Sequence, residues 1–382
     1  MSKPVFHRPQ LVNEATNLAL GRTALVRAGA ALFLAAARRT GKTTFLREDL
    51  TPALQSEGVH VIYVDLGANV SLPPSALIAE AAERDLGQTQ GTEAEASATI
   101  QATPVRGIRH DDPARKKKAG AWIVDVLKEL QTALSKPIAL LVDEAQHLGA
   151  DVKSTNVMGA LKSACDALNV GEDRRLLLVM LGSHRDKLQR LVLTPGAPFF
   201  GAQIFDLPSL GREYSALIGG KLVQALPQLS LCNDLIDAIF DRFLRRPGHF
   251  EEAIGLAANP LAAPDSSFRD RLDAAADKYE RMLDQEYEEA FAALSPVEAA
   301  VLRWILERGP GARLFTKDAL AFYGRVVGRT VGAGSARDAV QALRDVEPAV
   351  LWKNDRGGYV LENTDLLRWY RKRRDAGLWV PG

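Results

Sequence analysis

The sequence predicts an α/β core, a parallel sheet covered by helices on both faces, followed by a helical region and a small C-terminal module. Three observations carry the prediction. Continuous apolar runs at 31–37, 60–66, 138–144, 175–183 and 202–208 alternate with helical patterns, and unbroken apolarity is what a strand buried on both faces needs. From about residue 210 the strand-like runs stop and helical patterns take over. Residues 294–382 read as three helices and a hairpin, the outline of a winged helix-turn-helix.

The first run leads into "ALFLAAARRTGKTTFL", residues 31–46, which nearly spells G-x-x-x-x-G-K-[ST] with Ala36 at the first glycine. In such a loop successive backbone N–H groups, here from Arg39, Thr40, Gly41, Lys42, Thr43 and Thr44, curl around phosphate oxygens at a helix N-terminus. Gly41 lets the backbone approach closely, Lys42 would reach the β- and γ-phosphates, and the Thr43 hydroxyl would hold Mg²⁺. The competing reading is a basic turn between two buried elements. After the loop, Phe45, Leu46, Leu50 and Leu54 fall at helical spacing, with Pro52 marking a bend or an end.

The second run, "HVIYVDL", is followed by a helix expected at 74–85. Residues 87–118 are polar and rich in small residues, ending in a basic cluster from Arg115 to Lys118, and are expected to form a mobile insertion in the core. A helix at 119–134 leads to "IALLVDEAQHL", which ends an apolar strand in two carboxylates. Asp143 is suited to a Mg²⁺ ion and Glu144 to orienting or deprotonating an attacking water. A buried acidic pair at a strand end has few structural reasons to exist, because unpaired carboxylates are costly to bury.

After a helix at 153–169, "RLLLVMLGS" ends in Ser183. That hydroxyl either touches the γ-phosphate or the water, joining Lys42 and Glu144 as a candidate catalytic group, or caps the helix that begins near His184. Arg185 and Arg190 follow on that helix as candidate arginine fingers or as surface arginines. In the helical region, "RRPGHFEEA" sets Arg245, Arg246 and His249 around a proline-started turn, where Arg246 could return a cation to the nucleotide.

"NPLAAPDSS" reads as a connector and residues 268–294 as one long amphipathic helix. Ser295 with Glu298 three residues on is a capping box. The helix containing "ARDAVQALRD" would turn Val340 and Leu343 inward and Arg337, Gln341 and Arg344 outward. Lys353 and Arg356 lie in the hairpin, and "RWYRKRR" gathers cations near a Trp and a Tyr, a composition suited to phosphate contacts.

Composition bounds the rest. At 382 residues the chain exceeds one ordinary core, and 47% hydrophobic with 25% charged residues is an ordinary globular balance. A net charge of +1 gives no global field toward nucleic acid or membrane. Two cysteines, Cys165 and Cys232, make neither a disulfide framework nor a zinc site. No apolar run approaches a membrane span, and a cytoplasmic protein is expected.

The order "RRTGKTT", "LLVDEAQHL", "MLGSHRD", "RRPGHFEE" and a C-terminal winged helix resembles the prokaryotic AAA+/STAND-type P-loop ATPases, near the archaeal-ATPase and initiator-like clades. The resemblance implies a P-loop NTPase core at 1–208, a helical lid with its connecting helix at 209–293, a winged helix at 294–382, and Mg²⁺-dependent ATP hydrolysis, often in oligomers. Ala36 and "RPGH", where that family carries glycine and a glycine-x-proline turn, are departures. Two functions follow from it. One is an ATPase whose nucleotide state sets engagement of DNA through the winged helix and basic C-terminus; the other is an ATP-gated scaffold for a partner effector or toxin, without DNA.

Overall fold

The computed structural model describes residues 6–22, 31–69, 71–97, 119–149, 152–171, 173–226, 233–259, 266–309, 311–346, 349–353, 357–363 and 365–378. The chain divides into two compact units, Met1–Ala36 with Lys42–Leu207 and Ala37–Gly41 with Pro208–Gly382.

The first unit begins with helix α1 (Pro9–Ala19) and contains β1 (Ala31–Ala35), β2 (His60–Asp65), β3 (Ile138–Asp143), β4 (Leu176–Gly182) and β5 (Ile204–Asp206). These are the five expected strands, in the order β2-β3-β4-β1-β5 with every pair parallel. Alternation sends Phe33, Ile62, Leu140, Leu178 and Met180 into one core and Leu32, Leu34, Leu141, Val179 and Leu181 into the other. Successive strand side chains face opposite ways, so two covered faces demand an unbroken apolar strand.

Beyond β1 the chain forms α2 (Lys42–Thr44), a π-helical stretch Phe45–Leu50, and α3 (Thr51–Ser56). Pro52 does not end this helical run, which continues to Ser56. Proline has no N–H to give the preceding turn, and the wider π turn absorbs the gap, with the Thr51 N–H reaching the Leu46 carbonyl. Phe45, Leu46, Leu50 and Leu54 are all buried in the second core.

Helix α4 (Pro74–Ser97) corrects one expectation. Residues 87–97 are helical rather than part of an aperiodic insertion, because alanine, glutamate and glutamine supply helix propensity without an apolar stripe. Residues 98–118, with the basic cluster, lie outside the described residues. Helices α5 (Ala119–Leu134) and α6 (Val152–Leu168) pack with α4 over the first core, and α7 (Arg185–Leu193) follows β4. Cys165 is in that core, its thiol pushed up to about 12 by burial, as expected of an inert packing residue. Cys232 lies outside the described residues.

The second unit holds α8 (Arg212–Ala225), α9 (Asn233–Arg242), α10 (Pro247–Ala258) and α11 (Phe268–Ala292). Rings of Tyr214, Phe240, Phe243, Phe250 and Tyr279 form its first core, with Phe240 and Phe250 centred 4.8 Å apart. Helix α11 is continuous over 25 residues. Midway along it Tyr279 stacks on Phe243, and further along Tyr287 and Phe291 pack on Trp369 at 5.9 and 6.0 Å. One helix therefore serves two cores.

The C-terminal module comprises α12 (Pro296–Arg308), α13 (Lys317–Val327), α14 (Ala333–Asp345), an antiparallel hairpin of β6 (Leu351–Lys353) and β7 (Tyr359–Leu361), and α15 (Asp365–Asp375). The capping box forms as expected: Ser295 Oγ accepts the Glu298 N–H and Glu298 accepts the Ser295 N–H. Gly332 caps α14, and Ala333, Gly334 and Ser335 are already helical. The basic "RWYRKRR" lies within α15, which is buried through Leu366, Trp369 and Tyr370.

Candidate functional site

The strand order sets the site. Helical connections leave β1 toward β2 and leave β4 toward β5, so the carboxyl ends of β4 and β1 adjoin where the connections diverge. Ligands of open α/β sheets bind at such points. The neighbouring end of β3 brings the acidic pair beside them.

Lys42, the first residue of the helix after β1, is buried to 5% exposure, and its Nζ lies 3.8 Å from Glu144 Oε1. The Thr43 hydroxyl donates to Asp143 Oδ2 at 2.6 Å. Asp143 is 1% exposed and also accepts from Tyr63 Oη at 3.1 Å and from the Glu144 N–H at 2.9 Å. Burial raises the Asp143 pKa, against the lowering by the Thr43, Glu144 N–H and Tyr63 hydrogen bonds. Burial, with the charge of Asp143 next, pushes Tyr63 up as well, which keeps its hydroxyl a donor. Thr44, on the next position of the helix, is exposed.

Glu144 sits just past β3 with φ of 52°, left-handed backbone that a side-chain-bearing residue adopts at a cost of about 1–3 kcal/mol. Its Oε2 accepts from Ser183 Oγ at 2.5 Å and from Gln146 Nε2 at 2.5 Å. Ser183 does not cap α7: His184 is the cap, its Nδ1 accepting the Lys187 N–H. Of the two roles open to Ser183 in the sequence, the helix-capping one falls to His184 instead. Glycines make room here. A Cβ on Gly182 would stand 2.9 Å from Gln146 Oε1, and one on Gly67 would stand 3.3 Å from Glu144 Cγ.

Arg185 forms an ion pair with Asp206 at the end of β5, and Arg190 forms one with Asp186 at 2.9 Å. Both candidate fingers are held within the chain.

The remaining expected site residues belong to the second unit. The loop tip has Arg39 and Gly41 in left-handed backbone, φ 64° and 84°, and Thr40 Oγ1 donates to the Ala37 carbonyl at 2.7 Å. Arg39 donates to His249 Nε2, and the His249 ring lies 4.7 Å from that of Tyr279. Burial lowers the His249 pKa, and the Arg39 and Arg246 cations lower it further.

Arg246 follows a strained turn. Helix α9 ends with the Leu244 N–H on the Asp241 carbonyl and the Arg245 N–H on the Phe240 carbonyl, the Schellman pattern, with Leu244 and Arg245 at φ 57° and 51° where glycine is usual. The guanidinium of Arg246 is 2.9 Å from Asp365 Oδ2 at the start of α15. Asp365, Gln146 and Tyr63 escaped the sequence reading. Gln146 stood inside the quoted "DEAQHL", two residues past Glu144, and was the signal available.

No protein-family model matches the chain, and comparison with curated proteins gives no match. Solved structures do match. A Walker-type ATPase of Pyrococcus abyssi superposes with a TM-score of 0.57 at 17% identity, covering 97% of this chain and 99% of that one. The Aeropyrum pernix ORC2 protein in its ADP form gives 0.59 at 15% identity, covering 98% and 97%. The chain has the P-loop NTPase fold of these proteins. Within that fold the altered first glycine, Ala36, falls just past β1, where its N–H bonds to the Gly182 carbonyl at 3.1 Å. Alanine continues the strand pairing there. No helix among the described residues is long and apolar enough to cross a membrane.

Proposed function

We propose that this chain binds ATP with Mg²⁺, hydrolyses it, and transmits its nucleotide state to DNA or a partner protein through the C-terminal module, read as a winged helix. The observation that carries the proposal is the convergence of Lys42, Thr43, Asp143, Glu144 and Ser183 at the carboxyl ends of β1, β3 and β4, with Thr43 bonded to Asp143 at 2.6 Å. The ORC2 protein of the same fold was solved in an ADP form and in ADPNP–ADP complexes, which supports nucleotide as the ligand.

The Thr43 hydroxyl and the Asp143 carboxylate are hard oxygen donors that fit Mg²⁺. Such a pair suits Mg²⁺ bound by one carboxylate and the phosphates of its substrate. When bound, Mg²⁺ neutralises charge on the phosphates. Lys42 binds the β- and γ-phosphates, Glu144 orients the attacking water and takes its proton, and Ser183 meets the γ-phosphate. The N–H groups from Arg39 to Thr44 cradle the phosphates. An ATP-dependent oligomer fits this scheme.

DNA engagement is supported by α14, whose Val340 and Leu343 are buried while Arg337 and Gln341 are exposed. Lys353 adds an exposed cation on the hairpin, and Arg356 lies outside the described residues. A specific observation favours the scaffold reading: Lys372 is paired with Asp284 at 2.7 Å and Arg373 with Glu288, so α11 already occupies cations expected to meet phosphates. Steady-state ATP hydrolysis with and without duplex DNA tests the proposal. Hydrolysis stimulated by DNA supports the first reading, hydrolysis or binding indifferent to DNA supports the scaffold, and absence of ATP binding overturns both.

A further inference from the structure

Gln146 is 3% exposed, and every polar group of its amide is engaged at the candidate site. Its Oε1 accepts the Ser183 N–H at 3.2 Å, while its Nε2 donates to Ser183 Oγ at 3.1 Å and to Glu144 Oε2 at 2.5 Å. Ser183 Oγ in turn donates to the same Glu144 oxygen at 2.5 Å. Gln146, Ser183 and Glu144 form a closed triangle in which each donor has an acceptor. Burying an amide costs free energy unless its hydrogen bonds are complete, and here they are completed by two groups assigned to the reaction.

We infer that Gln146 is a positioning residue that keeps Glu144 and Ser183 in register for hydrolysis. The inference rests on the proposed ATPase reading and deepens it. Glu144 has two oxygens with different duties: Oε2 is held by Ser183 and Gln146, leaving Oε1 on the side where Lys42 Nζ lies 3.8 Å away. When the Ser183 hydroxyl turns to the γ-phosphate, Oε2 loses one of its two donors. Gln146 has no second duty and stays. It keeps Glu144 aimed through the step in which aim matters, and its bond to the Ser183 N–H holds the end of β4 against the acidic pair. The left-handed backbone of Glu144, φ 52°, needs such a brace, since strained residues persist where their surroundings fix them. Gly182 supplies the clearance, because any Cβ there would press on the Gln146 carbonyl oxygen at 2.9 Å.

The test is kcat and KM for Mg-ATP together with ADP affinity, measured on the full chain for wild type, Gln146→Met and Gly182→Ala. Methionine keeps the length of Gln146 and removes its hydrogen bonds; alanine at 182 displaces the amide without changing its chemistry. Gln146→Met lowers kcat by roughly 10- to 100-fold, the scale of a misplaced reacting group, with KM and ADP affinity within about twofold. Gly182→Ala moves kcat in the same direction. Adding Ser183→Ala to Gln146→Met costs less than Ser183→Ala alone, because the pair acts as a unit. A wild-type kcat in Gln146→Met overturns the inference while leaving the ATPase standing, as does a fall in ADP affinity matching the fall in kcat. Wild-type protein that binds ADP and hydrolyses no ATP overturns the ATPase reading and this inference with it.

Discussion

The strand-end cluster of the first unit and the exposed face of α14 in the second both carry charged residues expected to meet a ligand, but they hold them differently. At the strand ends, Lys42, Asp143, Gln146 and Ser183 are all buried, and they are linked through Thr43, which donates to Asp143, and through Glu144, which pairs with Lys42 and accepts from Gln146 and Ser183. On α14, Arg344 donates to Gln341 at 3.1 Å and Gln341 to Asp345 at 2.6 Å, contacts along a single solvated helix. Buried polar groups carry a desolvation cost that only partners or a ligand offset, whereas an exposed cation costs nearly nothing to keep. The first cluster therefore argues for a ligand on its own physical terms. The second argues only through its geometry.

The difference predicts where substitutions bite. The largest effect is on Lys42→Ala, which should weaken ATP binding about 100-fold or more in a fluorescent-nucleotide titration, since Lys42 is the buried cation beside Glu144. Near-wild-type affinity would remove the contrast between the regions. Arg337→Ala on the α14 face should cost about 1–3 kcal/mol of duplex affinity and relax base preference, measured by fluorescence polarisation at low salt. An unchanged isotherm would assign that face to a protein partner.

Asp143→Asn separates stability from function. A carboxyl whose folded pKa is raised by burial holds its proton more tightly folded than unfolded, so its stability contribution is lost as pH rises through the carboxylate range. Asparagine removes that loss. The variant should melt a few degrees above wild type at neutral pH, equal it near pH 3, and lose Mg²⁺-dependent turnover. A lower melting temperature at neutral pH would show that the hydrogen bonds to Asp143 outweigh its burial. The smallest effect is expected for Lys372→Ala, an exposed ion pair with Asp284 that should move stability by about 0.5 kcal/mol or less in urea melts.

The same contrast decides what could be read from the sequence. The five strands were legible because a parallel sheet covered on both faces writes long apolar runs. The acidic pair after β3 was legible because buried carboxylates need a reason. Residues 87–97 were missed because their helix has propensity without an apolar stripe. Gln146 was overlooked because glutamine alone signals nothing until β4 brings Ser183 beside it, 37 residues along the chain. The pairing of Lys372 with Asp284 spans 88 residues and joins two solvated helix faces, so no local pattern could announce it. It changes the meaning of the basic C-terminus from a free phosphate-binding tail to a helix partly neutralised by α11.

Single-turnover hydrolysis of ATP by Glu144→Gln, set beside its ATP affinity, tests the central claim most directly. Glutamine keeps the shape of Glu144 and can accept from Ser183, but it cannot take a proton from water. The account predicts ATP affinity within about twofold of wild type and turnover lower by roughly 10²- to 10⁴-fold. Hydrolysis by Glu144→Gln as fast as wild type would contradict it.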